Sequence, residues 1–109
     1  MSGSMTRSTS RRIAFGRIGD AALRYADVLV RRWLSDGRRE GPEWVALNPT
    51  RADRERGSFK VNLNTGRWSD FANGAAGGDL IALAAYLFHL SQAEAALKIA
   101  AMLGVDPHE

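Results

Sequence analysis

The chain has 109 residues, of which 45% are hydrophobic and 25% charged, a composition typical of one globular domain with a modest core. It contains no cysteine, which excludes disulfides and cysteine-ligated metal sites. Its apolar runs are shorter than the roughly 20 residues of a transmembrane helix, and no apolar signal segment follows the basic N-terminus. We therefore expect a cytoplasmic protein without a membrane partner.

The charge is unevenly distributed. Residues 1–68 carry 14 Lys or Arg against 7 Asp or Glu, a net +7, whereas residues 69–109 carry 1 against 5, a net −4. Thirteen of the 15 cations are arginines, whose planar guanidinium binds phosphates and stacks on bases. This pattern favours a nucleic-acid partner, although an arginine-rich proteome with solvated surface charges would also explain it.

The N-terminal segment is rich in Ser, Thr, Gly and Arg and lacks apolar periodicity. We predict a flexible basic arm over residues 1–18 and a single folded domain over residues 19–109. Arg7, Arg11, Arg12 and Arg17 give the arm its charge. Such an arm could wrap nucleic acid non-specifically, or it could be a plain tail or linker.

A helix is predicted over residues 20–36, with Asp20 as its N-cap and an apolar stripe at Leu23, Ala26 and Val30. Gly37 would end this helix, and a charged loop over residues 38–43 would follow.

Three short strands come next. Residues 44–47 are apolar, residues 58–63 alternate between apolar and polar, and residues 67–71 return after a turn at Asn64-Thr65-Gly66. Residues 51–56 between the first two strands read as a charged loop or a single helical turn. Together the strands predict a three-stranded antiparallel sheet.

The C-terminal part predicts two helices. Asp79 follows a glycine-rich loop and caps a strongly apolar helix that ends near residue 90. Ser91 and Glu94 have the spacing of a capping box for a second helix, which Gly104 ends. The predicted fold class is thus α+β: a three-stranded antiparallel sheet packed on an N-terminal helix and two C-terminal helices.

This order of motifs resembles the N-terminal zinc-ribbon domain of bacterial and phage-type DNA primases. The matching pieces are a strand that ends at Asn48-Pro49, a Ser58-Phe59-x-Val61 strand, an aromatic return strand at Trp68, and a run from Phe71 through Gly77-Gly78-Asp79. The resemblance implies a zinc-ribbon-like fold. It also places Asn48, Arg51, Asp70 and Asn73 where that family has its metal ligands.

With all four ligand positions replaced, we expect a metal-free domain without cofactors. Apolar burial would take the place of zinc, chiefly through six large side chains: Trp44, Phe59, Trp68, Phe71, Leu80 and Leu83. His89 and His108 lack a partner pattern and are expected to be satisfied or solvent-facing. The glycine loop could cradle a phosphate, but a tight structural turn is the favoured interpretation.

The candidate nucleic-acid-binding surface is the polar face of the hairpin with its flanking loop. Arg51, Arg54 and Arg56 are included because of their charge, and Lys60, Arg67 and Trp68 because the primase resemblance implies a template-strand contact. Trp68, if exposed, would offer a plane on which bases stack. The alternative is that Trp68 belongs to the core and that the charges pair with neighbouring acids.

No nucleophile, base and orienting group form an enzyme pattern, so we predict no catalytic activity. The leading function is a nucleic-acid-binding module, with single-stranded DNA as the expected partner. It would serve phage or plasmid DNA replication, alone or within a larger primase-helicase. One alternative is a protein-interaction or inhibitor module that docks on a primase, helicase or other protein. The helix over residues 80–90 would then either dimerise or receive that partner. A small transcription regulator is a third.

Overall fold

The computed structural model describes residues 12–47, 58–72 and 74–109. These residues form an α+β domain with four helices and one antiparallel sheet of five strands. The helices are α1 (Phe15–Arg24), α2 (Ala26–Trp33), α3 (Leu80–Phe88) and α4 (Gln92–Leu103). The strands are β1 (Arg38–Glu40), β2 (Glu43–Ala46), β3 (Phe59–Asn62), β4 (Trp68–Asp70) and β5 (Ala76–Gly77).

The predicted single N-terminal helix is in fact two helices that meet at Tyr25. Tyr25 has φ −109° and ψ 22°, and its N–H donates to the carbonyl of Ala22 at 3.1 Å, which ends α1. The bend lets Ile18 of α1 and Val30 of α2 enter the same core, and both are fully buried. Packing has therefore overridden the continuous helical pattern of the sequence.

The helical region also begins earlier than predicted, at Phe15 rather than Asp20. The C-terminal segment holds it in place: the N–H of Ala14 donates to the carbonyl of Pro107 at 2.8 Å. Arg17 Nη1 donates to the carbonyls of Asp106, at 3.0 Å, and His108, at 2.8 Å. Residues 12–18 of the predicted arm are thus part of the fold. The remainder of that arm lies outside the described residues.

The sheet is a meander with the strand order β1-β2-β3-β4-β5, so the prediction of three strands was wrong. One of the two strands that were not predicted is the edge strand β1. It is entirely exposed and reads Arg-Arg-Glu, so it has no apolar alternation that could indicate a strand. Gly41, at φ +62°, makes the turn into β2. The other missing strand, β5, lies in the glycine-rich loop and has only two residues.

The core lies between one face of the sheet and the helices. Trp44, Phe59, Val61 and Trp68 point inwards from β2, β3 and β4, and each is at most 6% exposed. Five of the six large side chains expected to replace zinc are buried. Phe71 is the exception at 72% exposure, because it follows the inward Asp70 and period two turns it to the opposite face.

The caps of the C-terminal helices are as predicted. Asp79 Oδ1 accepts the N–H of Ala82 at 2.8 Å at the start of α3. Ser91 and Glu94 form a complete capping box at the start of α4, and Gly104 ends that helix at φ +68°. None of the described helices is by itself long and apolar enough to span a membrane; α3 and α4 reach that length only as a pair that bends by 109° at its break.

Candidate nucleic-acid interface

Polar side chains occupy the outer face of strands β3 and β4. Lys60 is the register partner of Ser69, and Trp68 is the partner of Val61, so the polar and the buried residues alternate together in both strands. Period two then places Lys60 and Asn62 of β3 on the same side as Ser69 of β4. These outward residues are partly exposed, whereas their inward neighbours are buried.

The turn between the two strands places Arg67 at one end of this face. Asn62 Oδ1 accepts the N–H groups of Asn64, at 2.8 Å, and Thr65, at 3.1 Å, which fixes the turn. Gly66 adopts φ +79°, a conformation that other residues rarely adopt. The carbonyl of Arg67 then accepts the N–H of Asn62 at 2.8 Å, and the guanidinium remains exposed.

Phe71 lies at the other end of the same face. Its backbone N–H donates to the carbonyl of Ser58 at 2.9 Å, which fixes the chain just after β4. Lys60 Nζ lies 5.7 Å from the centroid of the Phe71 ring, a cation–π contact. We call the set Lys60, Asn62, Arg67, Ser69 and Phe71 the hairpin face. Its two ends, Arg67 and Phe71, are about 13 Å apart at four residues of about 3.3 Å each.

Trp68 does not provide the predicted stacking plane, because its side chain is only 6% exposed. Its ring is parallel to that of Phe59, with centroids 5.8 Å apart, and lies 5.1 Å from that of Tyr86. Its Nε1–H donates to the carbonyl of Asp79 at 3.2 Å. Base stacking on Trp68 was predicted only if its side chain were exposed. The structure instead has Trp68 in the core, which was the alternative.

The charges of the outer surface differ between its two halves. On the β1–β2 side, Arg38 Nε is paired with Glu40 at 2.9 Å. Glu43 of β2 borders a shallow concavity of about 390 Å³ that Lys60 and Arg67 also line. Neither of these two cations forms an ion pair with a described residue. Among the described residues, the hairpin face therefore presents two cations without an ion pair, close to the Glu43 carboxylate.

Three of the six predicted binding residues, Arg51, Arg54 and Arg56, lie outside the described residues. Lys60 and Arg67 are brought together on one face. Sequence reasoning had placed Phe71 in the core and had not assigned Asn62 and Ser69 to the site. The signal for Phe71 is present in residues 67–71, because strict alternation puts Trp68 and Phe71 on opposite faces and only one of them can be in the core.

Asp70 is the one described position among those that the primase resemblance aligns with metal ligands. Its side chain is 1% exposed, and Oδ1 accepts the N–H of Ala72 at 2.9 Å. Its backbone carbonyl accepts the N–H of Gly74 at 2.8 Å. Asp70 therefore shapes the loop after β4. Within the described ranges, no three His, Asp or Glu side chains are grouped closely enough to hold a metal ion.

The glycine-rich loop is a structural turn. Gly74 has φ +79°, and Gly77 packs directly against the Trp68 ring. The carboxylate of Asp79 already accepts a hydrogen bond from the first turn of α3, so it occupies the place an anion would take. These contacts agree with the favoured interpretation of the loop over a phosphate cradle.

Comparisons with known proteins identify the fold. No protein-family model and no curated protein matches the sequence. Among solved structures, the chain is similar to the primase of Aquifex aeolicus, in a crystal structure of its zinc-binding and RNA polymerase domains. The match has a TM-score of 0.71 and 22% identity, and it covers 87% of this chain and 22% of that one. The chain thus has a primase-like fold and spans about a fifth of that primase chain.

Proposed function

We propose that this chain is a non-catalytic nucleic-acid-binding module that contacts single-stranded DNA through the hairpin face. The observation that carries the proposal is the contact of Lys60 with the exposed ring of Phe71, on the same face as Arg67. A cationic groove beside an open aromatic ring is the arrangement with which proteins bind single strands, because the ring stacks on a base and the cations neutralise phosphates. The primase-like fold gives this partner a replication context.

The core arrangement supports the proposal of a zinc-ribbon-like domain that is stable without metal. The chain has no cysteine, and the four positions aligned with ligands hold Asn48, Arg51, Asp70 and Asn73, which are not a zinc-binding set. Behind the sheet, the ring of Phe59 stacks on the rings of Trp68 and Tyr86. Phe59 and Trp68 are buried, and each large side chain buried in this way contributes about 1.5–3 kcal/mol.

The absence of catalysis is part of the same proposal. It is supported by the two histidines: among the described residues, the side chains of His89 and His108 have no hydrogen-bond partner that would orient a general base. The proposed setting is cytoplasmic replication of phage or plasmid DNA, in which the module would act beside, or as part of, a polymerising enzyme.

The test is a titration of fluorescently labelled oligothymidine with the full chain, followed by anisotropy between about 50 and 200 mM salt. The only two lysines of the chain form a matched pair: Lys60 on the hairpin face and Lys98 on α4. Lys60→Ala is expected to weaken binding and to reduce the magnitude of the salt slope by about 0.7. Lys98→Ala removes the same charge elsewhere and should leave both unchanged. Equal effects of the two variants, or no binding at low salt, would contradict the proposal.

A further inference from the structure

A second surface lies among the helices and shares no lining residue with the sheet. Helices α2 and α4 and the end of α3 enclose a groove of about 670 Å³. Its apolar lining includes Val28, Trp33, Phe88 and Met102. The rings of Trp33 and Phe88 meet edge to face with centroids 6.0 Å apart, and this contact joins the α2 and α3 walls. We call this the helical groove.

Several apolar residues that line the helical groove are exposed to solvent rather than buried in the core. Val28 is 60% exposed, and Phe88 and Met102 are each 49% exposed. By contrast, Leu80, Leu83 and Leu87 of α3 are buried. The sequence suggested that the whole helix over residues 80–90 could receive a partner. In the structure, its exposed apolar contribution to the groove is Phe88, at the C-terminal end of α3. Contiguous exposed apolar residues of this kind mark interaction sites.

The shape of the groove fits a helix better than a small molecule. Small-ligand sites bury about 70–90% of the ligand. This groove is more open, because the lining residues Val28, Phe88 and Met102 are each about half exposed. On α4 the lining residues Ala95, Lys98, Ile99 and Met102 follow the i, i+3, i+4, i+7 pattern of one helix face. That face is about 10 Å long, or two helical turns.

The charge at the groove indicates the character of the occupant. Arg32 and Lys98 both line it, and no acidic residue does. On the same helix as Arg32, the neighbouring Arg31 is already paired with Asp27 at 2.9 Å. The Arg32 side chain forms no ion pair or hydrogen bond with a described residue. Lys98 has Glu94 one turn before it on α4, so Arg32 is the lining cation that lacks an acidic partner among the described residues. A complementary occupant therefore places an acid opposite Arg32.

We propose that the helical groove binds an amphipathic helix of a partner protein that carries acidic residues beside its apolar face. Apolar side chains at i, i+3, i+4 and i+7 of the partner would enter between α2 and α4, as in other helix-in-groove complexes. Its carboxylates would lie against Arg32 and Lys98, which sets the direction and the selectivity of docking. This site is independent of the hairpin face, so either can operate without the other.

The probe is a synthetic helical peptide with Leu at i, i+3, i+4 and i+7 and Glu at the flanking positions. A second peptide has Lys in place of each Glu. Both are dye-labelled and titrated with the full chain at low salt, with anisotropy as the readout. The parent protein is expected to bind the Glu peptide about tenfold more tightly than the Lys peptide. Arg32→Glu, which leaves Lys98 as the opposing charge, should remove this preference.

A matched pair on α4 tests the location of the site. Met102→Glu is expected to weaken binding of the Glu peptide by about tenfold or more. Leu97→Glu changes another exposed apolar residue of α4, 38% exposed and outside the groove, and should have no effect. Circular dichroism melts establish that both variants are folded.

Three outcomes would overturn the proposal. One is equal affinity of the parent for the two peptides, or no binding of the Glu peptide up to about 1 mM. Another is equal weakening by Met102→Glu and Leu97→Glu. The third is a dimer in sedimentation equilibrium that Met102→Glu dissociates, because a second copy would then be the occupant.

Discussion

Trp68 on β4 and Gly77 on β5 are register partners, and any Cβ at position 77 would lie 2.5 Å from Nε1 of the Trp68 indole. The indole ring covers the glycine backbone at that point. This close approach draws the glycine-rich loop onto the sheet as β5. It also explains why the tryptophan is buried, since its ring lies beneath β5 and its Nε1–H reaches the start of α3.

Gly77→Ala is therefore expected to destabilise the protein by about 1–3 kcal/mol, because the added methyl group has to displace either the indole or the β5 backbone. The control is Gly78→Ala, one residue further on, where a Cβ would meet nothing within 4 Å. Urea unfolding at neutral pH measures both variants. Equal loss of stability at the two positions would contradict the packing described.

Phe71→Ala is expected to weaken oligothymidine binding by about 1–3 kcal/mol, the usual contribution of one stacked base. The free energy of unfolding should change little, because the ring is 72% exposed. Phe88→Ala serves as the control, since it removes a ring that is 49% exposed but lies in the helical groove. If both variants bound with the same affinity as the parent, Phe71 would have no role in DNA contact.

Trp68→Phe separates the core role of this residue from the predicted exposed role. It removes the donor to the Asp79 carbonyl, which also accepts the N–H of Leu83 at 3.1 Å and so keeps one partner. We expect a loss of stability of about 1 kcal/mol and unchanged DNA affinity in the folded variant. A parallel measurement of urea unfolding and oligothymidine anisotropy makes the distinction. Weakened DNA binding with intact stability would favour a surface role.

The cap of α4 gives the stability a pH dependence. The backbone N–H of Ser91 donates to Glu94 Oε1 at 2.9 Å and lowers the pKa of that carboxyl below its ordinary value of 4.5, and the Ser91 side chain adds to this effect. A lowered folded-state pKa means that the charged form stabilises the fold. This contribution is complete above about pH 4.5 and is lost as the pH falls through the folded-state pKa.

Glu94→Gln should therefore be less stable than the parent at pH 7, and the difference should shrink in acid. The measurement is urea unfolding of both proteins at pH 7 and at about pH 3. Lys98→Ala provides the control for the weaker charge interaction between Lys98 and Glu94, because it leaves the capping box intact. A stability difference that stayed constant across this range would show that the carboxylate is not the source.

Local sequence signals predicted the parts of the fold in which side chains act on their own backbone. Asp79, Ser91 and Gly104 cap helices where expected, because each cap depends on one residue and its immediate neighbours. The number of strands was not predictable in this way. Strand β1 forms by pairing with β2, and β5 by packing of Gly77 on Trp68, so both depend on contacts that the strand sequences do not encode.

The candidate site was predictable in part for a related reason. Lys60 and Arg67 were identified because charge on a hairpin is visible in sequence. Which of the two aromatic residues is exposed could not be predicted. Alternation requires that Trp68 and Phe71 lie on opposite faces, but it does not indicate which face is buried. The Asp79 carbonyl and the Gly77 backbone decide it, and both come from a later part of the chain.

The contact between the two ends of the domain has a consequence for protein engineering. The N–H of Glu109 donates to the carbonyl of Arg12 at 2.9 Å, and Ile13 forms a bridge with His108. Because Arg12 and Glu109 lie side by side, residues 12–109 could be grafted into a surface loop of a host protein with very short connectors. For the same reason, a circular permutant that joins these ends and opens at Gly41-Pro42 should retain the native fold.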